Sequence, residues 1–93
     1  MGRVILKGYM VVPRPDLTVV LAALPEHIER TRAEEGCLFF DVTQDSDDET
    51  KFHVHEEFRS EADFDLHQRR TQASRWAEMT KNAARHYRVL TPE

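Results

Sequence analysis

Two side chains in this sequence combine proton chemistry with apolar neighbours. His67 follows Phe64 at a spacing that sets both on one side of a helix. An imidazole turned toward an apolar pocket gives or takes a proton near neutral pH. The same spacing equally suits a histidine hydrogen-bonded inside a core. Glu56 falls in register with Phe52, Val54 and Phe58 in an alternating run. A carboxylate among apolar neighbours is unfavourable unless it is paired or hydrogen-bonded. Glu56 either orients His67 or holds a substrate hydroxyl, or else it forms an ion pair with Arg32, Arg69 or Arg70.

Other residues supply the walls of a pocket. Gly8 stands mid-strand, where a missing side chain makes room for a ligand or marks a bulge or a close helix approach. Phe40, Trp76 and Met79, with Tyr9, can line a flat aromatic cavity, although large apolar residues are buried by default. His53, His55 and Glu57 share one strand face at a spacing of two, so two imidazoles can converge on a metal. A polar sheet face or rim accounts for them as well. The run from Asp45 to Glu49 begins like a calcium loop, but Thr50 replaces the glycine such loops need. It reads as a solvated hairpin loop. Cys37 has no sequence neighbour that marks an activated thiolate and reads as a small buried hydrophobe.

The elements that position these groups follow from periodicity. Residues 3–12 alternate: Val4, Leu6, Gly8, Met10 and Val12 point one way, and Ile5, Lys7, Tyr9 and Val11 the other. Pro13 and Pro15 stop that strand. Asp16 is the expected helix N-cap. Leu17, Val20, Leu21, Leu24, Ile28 and Thr31 then give an amphipathic stripe. Pro25 predicts a kink or break, and Gly36 a left-handed C-terminal stop. In the second strand Leu38, Phe40 and Val42 share one face, and Cys37, Phe39 and Asp41 the other. The third strand runs from Lys51 to Phe58. Ser60 with Asp63 resembles a capping box for a second helix, which bends near residues 72–74. Trp76, Met79, Thr80 and Ala83 continue the helical spacing, and Tyr87 to Leu90 closes the chain as a short strand.

A chain of 93 residues allows one domain, spanning residues 1–93, with a thin core. Net charge is −4 and no Lys/Arg block runs along the chain, so no nucleic-acid footprint is present. No apolar run reaches the length of a membrane span. The single cysteine excludes an intrachain disulfide, and a cytoplasmic location is expected. The order strand, helix, strand, strand, helix, strand predicts an α+β, ferredoxin-like βαββαβ fold, an antiparallel sheet with helices on one face. The first strand is apolar on both faces, and Phe39 and Cys37 add to the second face. An uncovered face of that kind predicts a homodimer with sheet against sheet.

Gly36-Cys37-Leu38, Phe52-x-Val54-x-Glu56-x-Phe58 and Phe64-x-x-His67, preceded by Thr31-Arg32-x-Glu34-x-Gly36-Cys37, resemble the antibiotic biosynthesis monooxygenase family. The resemblance is strongest to its small quinol monooxygenase-like members and runs from Val4 to about Val89. It implies a dimeric α+β barrel that oxygenates an electron-rich aromatic, such as a quinol, with dioxygen and no metal, haem or flavin. In that reading His67 and Glu56 are catalytic, and Gly8, Phe40, Val54, Trp76 and Met79 contact the substrate. A haem-degrading branch of the superfamily is disfavoured, because Ala77 stands where that branch has a haem-ligating histidine. Two other readings are carried forward: a ligand-binding dimer of the same fold without turnover, and a metal-dependent enzyme using His53 and His55.

Overall fold

The computed structural model describes residues 2–92. Its elements are β1 (Val4–Val11), a short 3-10 turn (Arg14–Asp16), α1 (Leu17–Arg32), β2 (Cys37–Gln44), β3 (Lys51–Phe58), α2 (Glu61–Gln72), α3 (Arg75–Met79) and β4 (Ala84–Leu90). The sheet has four strands in the order β2-β3-β1-β4, with every neighbouring pair antiparallel. This is the ferredoxin-like arrangement expected from the element order. The closing strand is longer than the sequence pattern indicated.

The alternation of β1 and β3 decides which face is covered. Val4, Leu6, Met10, Phe52, Val54 and Phe58 are all buried, and Glu56 is buried in the same row. Met10, Val12, Leu17, Val20, Phe52 and Trp76 form one core cluster that ties β1 and β3 to α1 and α3. Burying a side chain such as Phe52 or Phe58 contributes roughly 1.5–3 kcal/mol. The opposite sheet face is more mixed than two apolar rows would give. Lys51 lies over the Tyr9 ring at 4.4 Å, Tyr9 stacks on His86, and Phe39 meets His55 edge-on.

Four local expectations are corrected. Asp16 holds the N-cap position without capping: its backbone is already helical, and its carboxylate accepts from Asn82 Nδ2 at 3.2 Å. Helix α1 runs unbroken through Pro25. The carbonyl that loses its donor belongs to Leu21, which is exposed, so water can satisfy it. Gly36 does not take a left-handed conformation, because Gly8 alone among the described glycines has positive φ. Gly36 is needed for space instead: a Cβ there would lie 2.2 Å from Asp63 Cγ. Finally, a bulge between Cys37 and Phe39 shifts the β2 register. Cys37 pairs with Phe58 and faces the helices with Phe40, while Leu38 is 53% exposed.

Candidate functional site

Ser60 starts α2 by accepting a hydrogen bond from the Asp63 backbone N–H at 3.2 Å. Phe64, one turn on, packs against Phe58 with ring centroids 5.5 Å apart. That contact turns the same helix face toward β3 and places His67 inward, 2% exposed. The His67 ring lies 4.7 Å from Phe58 and 6.0 Å from Phe40, centroid to centroid.

Both ring nitrogens of His67 meet functional groups. Nδ1 lies 3.0 Å from Glu34 Oε1. Arg70 donates to the other oxygen of Glu34 and, through Nη2, to Thr31 Oγ1 at 3.1 Å. An ionised carboxylate only accepts, so Glu34 fixes the proton on Nδ1 and leaves Nε2 as the accepting nitrogen of the ring. Nε2 points to Glu56 Oε1 at 3.7 Å and to Thr71 Oγ1 at 3.4 Å. Burial lowers the His67 pKa against the opposing pull of Glu34. The ring is therefore neutral at physiological pH.

Glu56 does not pair with an arginine. Arg32 donates to the Phe40 carbonyl, through Nε at 3.1 Å and Nη2 at 2.9 Å, and Arg70 is taken by Glu34. Among the described residues the one ionisable contact of Glu56 is the neutral His67 ring, beyond hydrogen-bond range, and its Oε1 is buried without a partner. Burial first, and the charge of Glu34 second, push the Glu56 carboxyl up to about 7. A group poised there can serve as acid and as base.

These groups open on a cavity of about 350 Å³ between sheet and helices. Leu6, His27, Trp76 and Tyr87 form its walls, and Arg85 stands on its lining with the amides of Gln68 and Gln72. His27 stacks flat on Trp76, with centroids 4.5 Å apart and planes within 5°. Burial, reinforced by the nearby His67, Arg70 and Arg30, drives its pKa down to about 3, so it is a neutral wall. Burial raises the Tyr87 phenol to about 12.

Of the substrate-contacting set expected from sequence, Trp76 lines this cavity. Phe40 reaches it indirectly, through its ring contacts with His27 and His67. Gly8, Val54 and Met79 do not line it. Val54 is buried between strands, opposite Gly8 and Val42. Gly8 permits a close approach of backbones: a Cβ would lie 2.0 Å from the His86 carbonyl oxygen. Its φ of 151° suits glycine alone. The His53 and His55 side chains do not converge either. Each Nε2 is engaged by a carboxylate, His53 by Asp45 at 2.6 Å and His55 by Glu57 at 2.9 Å. Among the described residues no three His, Cys, Asp or Glu side chains are grouped to hold a metal.

Glu34, His27, Tyr87 and Arg85 were missed as site residues. His27 had a usable signal, since the inward row Leu17, Val20, Leu24, His27, Thr31, buried except for the half-buried Leu24, keeps alternating steps of three and four. Glu34 meets His67 across 33 residues of chain, a pairing no local pattern contains.

Solved structures share the fold, three of them as follows. A protein from Nitrosomonas europaea, provisionally named an antibiotic biosynthesis monooxygenase, matches with TM-score 0.83 and 20% identity over 98% of this chain and 91% of its own. One from Pseudomonas aeruginosa gives TM-score 0.79 and 24% identity over 100% of this chain and 96% of its own. One from Mycobacterium tuberculosis gives TM-score 0.73 and 25% identity over 99% and 96%. No curated protein matches the sequence significantly. Among the described residues no helix is long and apolar enough to cross a membrane. The family model for antibiotic biosynthesis monooxygenases matches residues 3–79, and the chain belongs to that family.

Proposed function

We propose that this protein is a homodimeric, cofactor-independent monooxygenase that oxidises a quinol or similar electron-rich aromatic with dioxygen. The observation that carries this reading is the unpartnered Glu56 Oε1, buried beside the unprotonated Nε2 of a neutral His67 at the end of a 350 Å³ cavity. The cavity lies within the size range of small-molecule sites and has aromatic walls.

The chemistry asks for one proton to leave and return. Glu56 or His67 takes the phenolic proton, and the resulting phenolate passes one electron to dioxygen. The superoxide and semiquinone recombine at a ring carbon to form a C–O bond. The proton returns to the peroxide. The oxygenated ring carbon gives up its C–H proton as the O–O bond breaks and its electrons form the new carbonyl, and the hydroxide released combines with that proton and departs as water. One quinol and one dioxygen give one hydroxyquinone and one water. A base poised near neutral pH suits both directions of this transfer. Glu34 and Arg70 hold the His67 tautomer throughout.

The homodimer is supported by the sheet face opposite the helices. Phe39 and Leu90 stand 47% and 40% exposed there. Ile5, Tyr9 and Val11 belong to the same face. The test of the activity is quinol-dependent oxygen uptake by the purified protein, with the hydroxylated product identified by mass. Uptake equal to that of buffer across a quinol panel would leave a binding protein as the better reading.

A further inference from the structure

Arg85, an exposed residue of β4, is a cation at the edge of a cavity whose acid-base chemistry lies elsewhere. Its Nη1 donates to the Thr80 carbonyl at 3.2 Å and its Nη2 to Thr80 Oγ1 at 2.7 Å. Thr80 is itself buried and anchored, its hydroxyl donating to the Trp76 carbonyl at 2.7 Å. The guanidinium is thus held by neutral acceptors. Among the described residues it has no carboxylate partner, unlike Arg70 and Arg59. A guanidinium has five donors in a planar fork, so donors remain for a ligand.

Position separates this cation from the proton-transfer end. In the sheet, Glu56 pairs with Leu6 and Arg85 pairs with Met10, four residues further along β1. That is about 13 Å along the strand. Tyr87 stands between them, opposite Gly8. A ligand that reaches both ends does so most simply with two separate polar groups, one at each end.

We infer that Arg85 is the anion-binding residue of this cavity and that its ligand is an aromatic acid, with a permanent carboxylate on Arg85 and the ring hydroxyl at Glu56 and His67. The placement of the hydroxyl rests on the function proposed above; the carboxylate contact does not. The aromatic ring lies against Trp76 and Tyr87. A bidentate arginine-carboxylate contact supplies both affinity and orientation. Arg85 is then a specificity residue, selecting acids over neutral phenols.

Calorimetric titration at neutral pH separates these claims from turnover. The ligands are a hydroxynaphthoate, its carboxamide, and the naphthol that lacks the acid group. The proteins are the parent, Arg85→Gln, Arg85→Lys and Arg88→Gln, whose changed residue projects from the other sheet face. The parent and Arg88→Gln are expected to bind the acid about 10- to 100-fold more tightly than the amide, as for a hydrogen bond to a charged group. Arg85→Gln should abolish that preference, and Arg85→Lys should keep part of it. Melting curves of each variant identify any that fail to fold, and Arg85→Lys then decides the matter. Equal binding of acid and amide by the parent, or a preference that survives in Arg85→Gln, overturns the inference. So does naphthol binding that depends on Arg85 as strongly as acid binding, which would make the anion a generated phenolate. Binding of none of the three also overturns the aromatic-acid assignment. Arg85-dependent acid binding without oxygen uptake would uphold this inference and remove the monooxygenase reading.

Discussion

Replacing Glu56 by glutamine should stabilise the protein in alkaline solution and leave it nearly unchanged in acid. Glutamine has the shape of the protonated carboxyl and no charge to bury. In the folded protein the Glu56 pKa is raised to about 7 from an ordinary 4.5. The fold therefore favours the protonated form more than the unfolded chain does. Its contribution is fully present below pH 4.5 and is lost as pH rises through about 7. The difference of 2.5 units, 7 less 4.5, corresponds to roughly 3 kcal/mol above about pH 8. Near about pH 5 the same relation leaves less than about 1 kcal/mol. Urea melts of parent and Glu56→Gln at these two pH values, at equal protein concentration, read the gap directly. The buried histidines impose an opposite trend. His27, lowered to about 3 from 6.5, contributes stability that is present above pH 6.5 and lost as pH falls toward 3. Because both proteins carry His27, comparing them removes its effect. A variant no more stable than the parent at about pH 8 would refute the account of Glu56 as an uncompensated buried acid.

Two further outcomes test the fold and the assembly. Gly36→Ala should destabilise by about 1–3 kcal/mol through overlap with the Asp63 carboxylate. Adding Asp63→Gly, which also removes the Asp63 Cβ that a Gly36 Cβ would meet at 2.4 Å, should recover more than about 0.5 kcal/mol of that loss in a double-mutant cycle, whereas simple additivity would point back to the backbone. Sedimentation at micromolar concentration should give a dimer, and Tyr9→Glu on the exposed sheet face should yield monomers; a monomeric parent would contradict the proposed assembly.

The fold was legible wherever one face of an element is uniformly apolar. The run Phe52, Val54, Phe58 assigned β3 its buried face and put Glu56 there, and the Ser60 signal set the start of α2. The β2 pattern misled because a bulge adds a residue without changing composition, so Leu38 was read as inward. Gly36 looked like a helix stop because glycine answers both a backbone and a space requirement. The crowding comes from Asp63, far along the chain. The site was half legible. His67 and Glu56 carry a chemical anomaly, polarity among apolar neighbours. Glu34, Tyr87 and Arg85 are ordinary residues on element ends and a peripheral strand, made relevant only by the tertiary approach of α2, α3 and β4.

The most direct test of the proton-transfer account pairs oxygen uptake with melting midpoint for the parent and His67→Ala. His67 touches Phe58, Glu34 and Glu56, so some stability will be lost on truncation. If its Nε2 moves the substrate proton, the folded variant should keep its dimer and lose about 10²- to 10⁴-fold in quinol-dependent oxygen uptake. A destabilised His67→Ala that retains the full specific activity of the parent would contradict the claim.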